Sequence, residues 1–428
     1  MNTRPLDPET DYRRQLTESI TRLLELSSRI NEEKPNRYWY PLSMATYGVE
    51  EVVEAVDSMC RFRTTMWEKT LEFERRFAAH QGCADAVMVN SGSSADLLLS
   101  FLLTDPSQPL LQRDDEILVP VVTWPTQIWS PMMAGLKVRL VDVDPETLNM
   151  DLDDLERKIT PRTRALFPVH LMGNPCDMDR ITALSQKHDL TIIEDCCEAL
   201  GAEWGGRRVG NFGLGASYSF FFSHHMTTME GGMIACQSAE VGERLRILRA
   251  HGWVRNVDPS GHNLGAYDID PRYAFVNWGF NFRPTDLQAG FGLHQLGKLP
   301  EFNRRRNALA QRFFAFIDSK PQLERPKVLA GARPSWFALP LRVADGAPFS
   351  RVDLVNHLEK EGVETRPIVA GNMARHPAAQ LFPAFGESEF PGADKLHQRG
   401  LYLGLSPLFT DSDIDRLMGC IDAFLARY

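Results

Sequence analysis

The sequence contains no Cys-x-x-Cys pair. Its seven cysteines are scattered (Cys60, Cys83, Cys176, Cys196, Cys197, Cys236, Cys420). That pattern argues against a zinc or iron–sulfur site and for reduced thiols in a cytoplasmic protein. No stretch approaches the roughly 18 apolar residues of a membrane span. The N-terminus, from Met1 to Thr10, is polar and lacks the apolar core of a secretory signal. Long runs of one charge are also missing, and the net charge is -9. Nothing here is a nucleic-acid footprint. What remains is a chain of 428 residues, 43% hydrophobic, ample for a large core divided into two or three domains. The expected division is an N-terminal helical segment over 1–38, a large domain over 39–300 and a small C-terminal domain over 301–428.

Periodicity fills in that outline. Leu16, Ile20, Leu23, Leu24 and Ile30 recur at helical spacing between Asp11 and Ile30. Further on, strands and helices alternate. Strands are expected at 87–89, 117–122, 137–143, 165–171 and 190–195, with helices at 152–159 and 177–188 between them. Such alternation argues for an α/β sheet with helices on both faces. Strands at 218–222 and 233–236 flank a polar loop. Thr285-Asp286-Leu287-Gln288 is a capping-box pattern for a helix running to Leu299. A separate arginine-rich helix is expected over 300–318. The C-terminal part reads as strand 335–343, helix 352–362, strand 363–369 and a closing helix 413–428.

Three places carry chemistry. The loop between Phe222 and Met233 holds His224, His225, two threonines and Glu230. Polar side chains between buried strands have to be satisfied or used. Asp195 ends a strand, and ligands of α/β sheets bind at the carboxyl ends of strands. After Val89, the turn Asn90-Ser91-Gly92-Ser93-Ser94 opens an apolar helix, where small residues and the helix dipole suit a phosphate. The long polar loop from His251 to about Pro271, containing Arg255, has the composition of a substrate lid.

Ser219-Phe220, then His224, then Glu230-Gly231-Gly232 resembles the Ser-Phe-x-x-x-Lys-x-x-x-x-x-Glu-Gly-Gly signature of the sugar aminotransferases of the DegT/StrS type. Asp195-Cys196-Cys197-Glu198-Ala199 and Gly279-Phe280-Asn281-Phe282-Arg283-Pro284-Thr285-Asp286-Leu287-Gln288 resemble two further motifs of that family. The resemblance runs from about Tyr40 to Phe424. It implies pyridoxal phosphate fold-type I, like aspartate aminotransferase: a large mixed, mostly parallel sheet flanked by helices, plus a smaller C-terminal α+β domain. It implies pyridoxal 5′-phosphate or pyridoxamine 5′-phosphate as cofactor, no metal, and a homodimer with shared active sites.

By the same resemblance, Asp195 is the partner of the pyridine nitrogen and Glu198 lies near the ring oxygen. Trp124 stacks on the ring, Ser219 with Gly92, Ser93 and Ser94 binds phosphate, and Asn281 reaches the neighbour's phosphate. The family's lysine, which forms an imine with the cofactor, is replaced by His224. An imidazole forms no imine with an aldehyde, yet it can move a proton near neutral pH. One branch of the family shares this exchange: the nucleotide-sugar 3-dehydratases, which use the amine form of the cofactor. The Thr365–Asn372 segment also resembles that branch.

The expectation is therefore a 3-dehydratase of a nucleotide-linked 4-keto-6-deoxyhexose, with His224 and Asp195 catalytic and L-glutamate regenerating the amine. His225, Arg255, Arg366 and Asn372 are candidates for substrate binding. No iron–sulfur cluster is expected, since Cys420 is the only C-terminal cysteine. Two alternatives stand beside it: a nucleotide-sugar aminotransferase using glutamate, and a non-catalytic relative that binds cofactor or sugar.

Overall fold

The structure is a computed structural model and describes residues 7–32, 37–382 and 389–428. Helix α1 (Pro8–Glu32) packs on α2 (Val49–Cys60), which is followed by α3 (Glu68–Gln81). Then come β1 (Asp85–Val89), α4 (Gly92–Leu103), β2 (Glu116–Pro120), α5 (Thr126–Met133), β3 (Lys137–Val141), α6 (Leu152–Lys158), β4 (Thr163–Leu166), α7 (Met178–His188) and β5 (Thr191–Asp195). Short strands β6 (Glu203–Trp204) and β7 (Arg207–Arg208) precede β8 (Gly215–Ser219), β9 (Gly232–Cys236) and α8 (Ala239–Arg249). Helix α9 (Asp286–Ile317) leads to the C-terminal part. There follow β10 (Leu323–Glu324), β11 (Ala332–Arg333), β12 (Leu339–Val343), α10 (Arg351–Lys360), β13 (Thr365–Pro367), α11 (Pro391–Arg399), β14 (Gly400–Leu403) and α12 (Asp411–Leu425).

Seven strands form the main sheet in the order β1-β9-β8-β5-β4-β2-β3. Only β9 runs against its neighbours. Strands β2 and β9 are buried at every residue, as continuous apolar runs covered on both faces must be. The C-terminal sheet, β10-β12-β14-β13, is antiparallel throughout.

Because β9 is antiparallel to both β1 and β8, the strands β1, β8 and β5 all point one way. The register aligns Val89 with Gly232, Gly232 with Ser219, and Ser217 with Asp195. The carboxyl ends of three strands therefore meet at one edge of the sheet, and the turn before α4 starts there too.

Four expectations are corrected. Strand β8 ends at Ser219, and Phe220–Phe222 belong to the following turn, where the Phe220 amide donates to Gly231 and the His224 amide to Phe221. The strand expected at 165–171 stops at Leu166, and that at 335–343 starts at Leu339. The two helices expected either side of Pro300 are one helix of 32 residues. Proline removes one hydrogen bond from a helix interior. Here burial of Leu296, Leu299, Leu309 and Phe313 along the same helix outweighs that loss. The expected boundary at 300/301 thus falls inside a continuous helix. Thr285 caps it as anticipated, accepting from the Gln288 amide while Gln288 Oε1 accepts from the Thr285 amide.

Candidate active site

The phosphate-like turn is built first. Ser91 caps α4, accepting from the Ser94 amide at 3.1 Å. Ser94 Oγ donates to Asn90 Oδ1 at 2.6 Å, so this hydroxyl holds the turn together, while Ser93 is exposed. The first amides of a helix have no intrahelical acceptor, which leaves Gly92 and Ser93 facing the strand ends. Gly92 lies directly against Ser219: a Cβ at Gly92 would come within 2.6 Å of the Ser219 Cβ. Only glycine lets turn and strand close this far.

Asp195 is 4% exposed and ends β5. Its Oδ1 accepts from the Cys197 amide at 2.8 Å, and its Oδ2 accepts from Gln127. Burial raises its pKa, offset in part by hydrogen bonds from the Cys197 amide and side chain, by the charge of His170 and by the Gln127 amide. Glu198 accepts from the Met172 amide at 2.8 Å. Burial pushes it up to about 7, the Met172 amide opposes this, and the charge of Asp195 adds to it. Trp124, just beyond β2, keeps a ring 60% exposed beside these acids' end of the sheet.

The two histidines are adjacent in sequence and opposite in environment. His224 is partly buried, and its Nδ1 has no hydrogen-bond partner. Its ring stands edge-on to Phe337, with centroids 5.2 Å apart. Burial, reinforced by the charge of Arg306, pulls its pKa down to about 4, so the imidazole is neutral at pH 7. His225 is 1% exposed, and its Nε2 bonds the Ser335 carbonyl at 2.9 Å. It ties the loop to the segment before β12, while its Nδ1, like that of His224, has no partner.

Arg306, a residue of α9 that sequence reasoning passed over, lies beneath this loop. It is 3% exposed and donates to the carbonyls of His224 (3.1 Å), Phe337 (3.3 Å) and Leu405 (2.7 Å). Burial draws its pKa down to about 10, and it remains a cation at neutral pH. The run Arg304-Arg305-Arg306 gave no sign which member was buried. Gln127 was also passed over, although it lies in the same turn of chain as Trp124.

Asn372 opens the short turn Met373–Arg375. It is 3% exposed, its Nδ2 donates to Asp394 at 2.6 Å and its Oδ1 caps Ala374 at 3.0 Å. Both side-chain polar atoms thus make bonds within the fold. The other outer candidates are exposed and tied to near neighbours. Arg366 pairs with Glu364 at 2.8 Å. Asn281 accepts from Arg283 at 2.8 Å. The Arg255 guanidinium lies 5.0 Å over the Trp253 ring. Asn281, Arg255, Trp253 and Trp67 line one shallow pocket.

Neither cluster of possible metal ligands among the described residues contains more than one thiol. The inner constellation suits a flat cationic ring with a phosphate at one end: a buried carboxylate for the ring nitrogen, a helix N-terminus and Ser219 for the phosphate, an exposed indole for stacking, and an unpartnered imidazole above. Among the described residues no helix is long and apolar enough to cross a membrane.

The chain is 36% identical over 386 residues to GDP-4-keto-6-deoxy-D-mannose 3-dehydratase of Yersinia pseudotuberculosis, covering 89% of this chain and 98% of that protein. It is 32% identical over 398 residues to dTDP-4-dehydro-2,6-dideoxy-D-glucose 3-dehydratase of Saccharopolyspora spinosa, covering 90% of this chain and 86% of that protein. A crystal structure of GDP-4-keto-6-deoxymannose-3-dehydratase with a trapped PLP-glutamate geminal diamine matches with a TM-score of 0.83 at 32% identity, over 89% of this chain and 99% of that chain. A profile of the DegT/DnrJ/EryC1/StrS aminotransferase family matches residues 47–422. The chain belongs to that family.

Proposed function

We propose that this protein is a pyridoxamine-phosphate-dependent 3-dehydratase that removes the C3 hydroxyl of a nucleotide-linked 4-keto-6-deoxyhexose in deoxysugar biosynthesis. The observation that carries this reading is His224. It occupies the lysine position of a site that keeps its other parts, and no lysine occurs between Lys187 and Lys298. When bound, pyridoxamine phosphate supplies an amine for the C4 ketone and a protonated pyridine that draws electrons toward its ring nitrogen.

The residues of this chain do the rest. Asp195 holds the charge at the ring nitrogen. Ser219 and the amides of Gly92 and Ser93 bind the phosphate at the N-terminus of α4, with Ser94 bracing the turn. Trp124 covers one face of the ring, and Glu198 sits by its oxygen. His224, neutral at pH 7, takes the proton from the C4′ carbon as general base. Arg366 and Arg255 offer cationic groups for the diphosphate. L-Glutamate serves as amino donor. The protein acts as a homodimer in which Asn281, exposed in a single chain, completes the neighbour's phosphate site.

The test is direct. The protein is loaded with pyridoxal phosphate, and L-glutamate is expected to convert the aldehyde absorbance to that of the amine. A GDP- or dTDP-linked 4-keto-6-deoxyhexose is then added and the product weighed by mass spectrometry. Loss of the C3 oxygen without gain of nitrogen supports the reading. An amino sugar as the main product overturns it in favour of an aminotransferase.

A further inference from the structure

A second acid, Asp96, is buried beside Asp195. It is 1% exposed and sits on α4, where Ser100 is the only other polar residue after the first turn. Its Oδ2 accepts from Thr126 Oγ1 at 2.8 Å and from Gln127 Nε2 at 2.9 Å. The same Gln127 Nε2 donates to Asp195 Oδ2. Thr123 Oγ1 donates to Gln127 Oε1 at 3.1 Å, which sets the amide with its NH2 group between the two acids. Oxygens of Asp96 and Asp195 and the Cys197 sulfur all lie within 4.8 Å of one another. Asp96 Oδ1 is buried and has no partner.

The charges around the pair are sparse. Facing Asp195 are Asp96, Cys196, Cys197, Glu198 and His170. Of these only His170 can be cationic, and it is already bonded to Glu194 at 3.2 Å. Facing Asp96 are Asp195, Thr126, Ser217 and Cys197. Two buried carboxylates this close, sharing one amide donor and lacking a dedicated cation, do not both ionise near neutral pH. Burial and the charge of Asp195 both push Asp96 up. A positive ring nitrogen against Asp195 favours ionisation there, which leaves the proton to Asp96.

We propose that Asp96 is a positioning residue that stays protonated in the cofactor-loaded enzyme, so that the pair carries one proton and Asp195 alone carries the negative charge facing the ring. Asp96 has no contact with substrate in this scheme. It sets the charge state of Asp195 through Gln127, and its neutral acid satisfies the amide without adding a second charge under the ring. Oδ2 already accepts from Thr126 and Gln127, which leaves Oδ1 to hold the proton. This inference rests on Asp195 facing the cofactor ring as proposed above.

The test uses protein labelled with carbonyl-13C aspartate and loaded with pyridoxal phosphate, read by difference infrared spectroscopy. The expected result is one protonated-carboxyl C=O band per chain, shifted by the label and steady from about pH 6 to about pH 8, where ordinary aspartates are ionised. It disappears in Asp96→Asn, a near-isosteric variant, and persists in Asp195→Asn. A band that survives Asp96→Asn but is lost in Asp195→Asn places the proton on the other acid and overturns the proposal. The wild-type spectrum decides even where a variant fails to fold, because absence of any such band means that both acids are ionised. Uptake of cofactor with no Asp96-dependent band overturns this inference alone. Failure to take up cofactor at all overturns it together with the proposed function.

Discussion

The inner and outer halves of the site are built differently. The inner half (Gly92, Asp195, Glu198, Ser219, His224) is assembled by strand ends and helix starts within one chain, and backbone groups fix its geometry. The outer half (Asn281, Arg255, Arg366) consists of exposed side chains resting on neighbours: Arg283, the Trp253 ring and Glu364. The one ion pair among them, Arg366–Glu364, is of the exposed kind that contributes about 0–1 kcal/mol, and the other two contacts are single and on the surface, so little holds these groups in their present places. The contrast teaches where each task lies. Chemistry on the cofactor needs fixed charge in a dry setting and comes from the core. Under the proposed function, recognition of the nucleotide sugar and of a second subunit falls to these loosely held groups.

The largest expected effect breaks the inner half. His224→Asn is expected to lower dehydration by about 10²- to 10⁴-fold, the range for loss of a general base, while cofactor absorbance and melting stay near wild type. A fall in cofactor uptake of similar size would instead make His224 a binding residue. Gly92→Ala comes next. Its Cβ would meet Ser219 at 2.6 Å, and overpacking of this kind costs about 1–3 kcal/mol. Lower melting temperature and weaker cofactor retention are the expected readouts.

The boundary between the halves can be tested by mixing. If Asn281 serves the neighbouring subunit, chains carrying Asn281→Ala and chains carrying His224→Asn are each inactive, and re-associated mixtures recover roughly a quarter of wild-type activity through dimers with one intact site. Unrestored activity after verified subunit exchange would put Asn281 in its own chain's site.

Glu198 offers a smaller, pH-dependent effect. Held at about 7, its carboxyl is protonated below that pH and ionised above it. The absorbance of the bound cofactor should shift as pH rises through about 7, and Glu198→Gln should flatten that shift. His224 behaves in the opposite sense. Its pKa of about 4 in the fold means that its contribution to stability is present above the ordinary histidine value of about 6.5 and is lost as pH falls from there toward about 4. The smallest effect belongs to the outer half. Arg366→Ala is expected to change stability by less than about 0.5 kcal/mol, as for exposed side chains, while raising KM for the nucleotide sugar. An unchanged KM would remove Arg366 from recognition.

Much of this was legible in the chain. The alternation of strands and helices announced the main sheet. The motifs around Asp195, Ser219 and Thr285 lie where sheet edge and helix cap require them. Element ends were less legible: Phe220–Phe222 continue the apolar run of β8, and periodicity alone does not show where hydrogen bonding to β9 stops. Pro300 read as a break because local propensity counts the missing amide and not the buried leucines on either side. That Asn372 caps a turn was not legible, because polar residues in a loop look alike whether they face solvent or bond the backbone.

By itself, then, the sequence determined the α/β class through local pattern, and its motifs, through their resemblance to a known family, marked the replaced lysine and the residues that meet at the strand ends. Only the tertiary structure decided that His224 is left unpartnered while His225 is bonded to Ser335. It also decided that Arg306 underlies that loop, and that Asp96 and Asp195, far apart in the chain, share one amide of Gln127. The physical reason is that burial and partners are set by which distant segments pack together, and they govern the charge of an ionisable group more strongly than its place in the sequence.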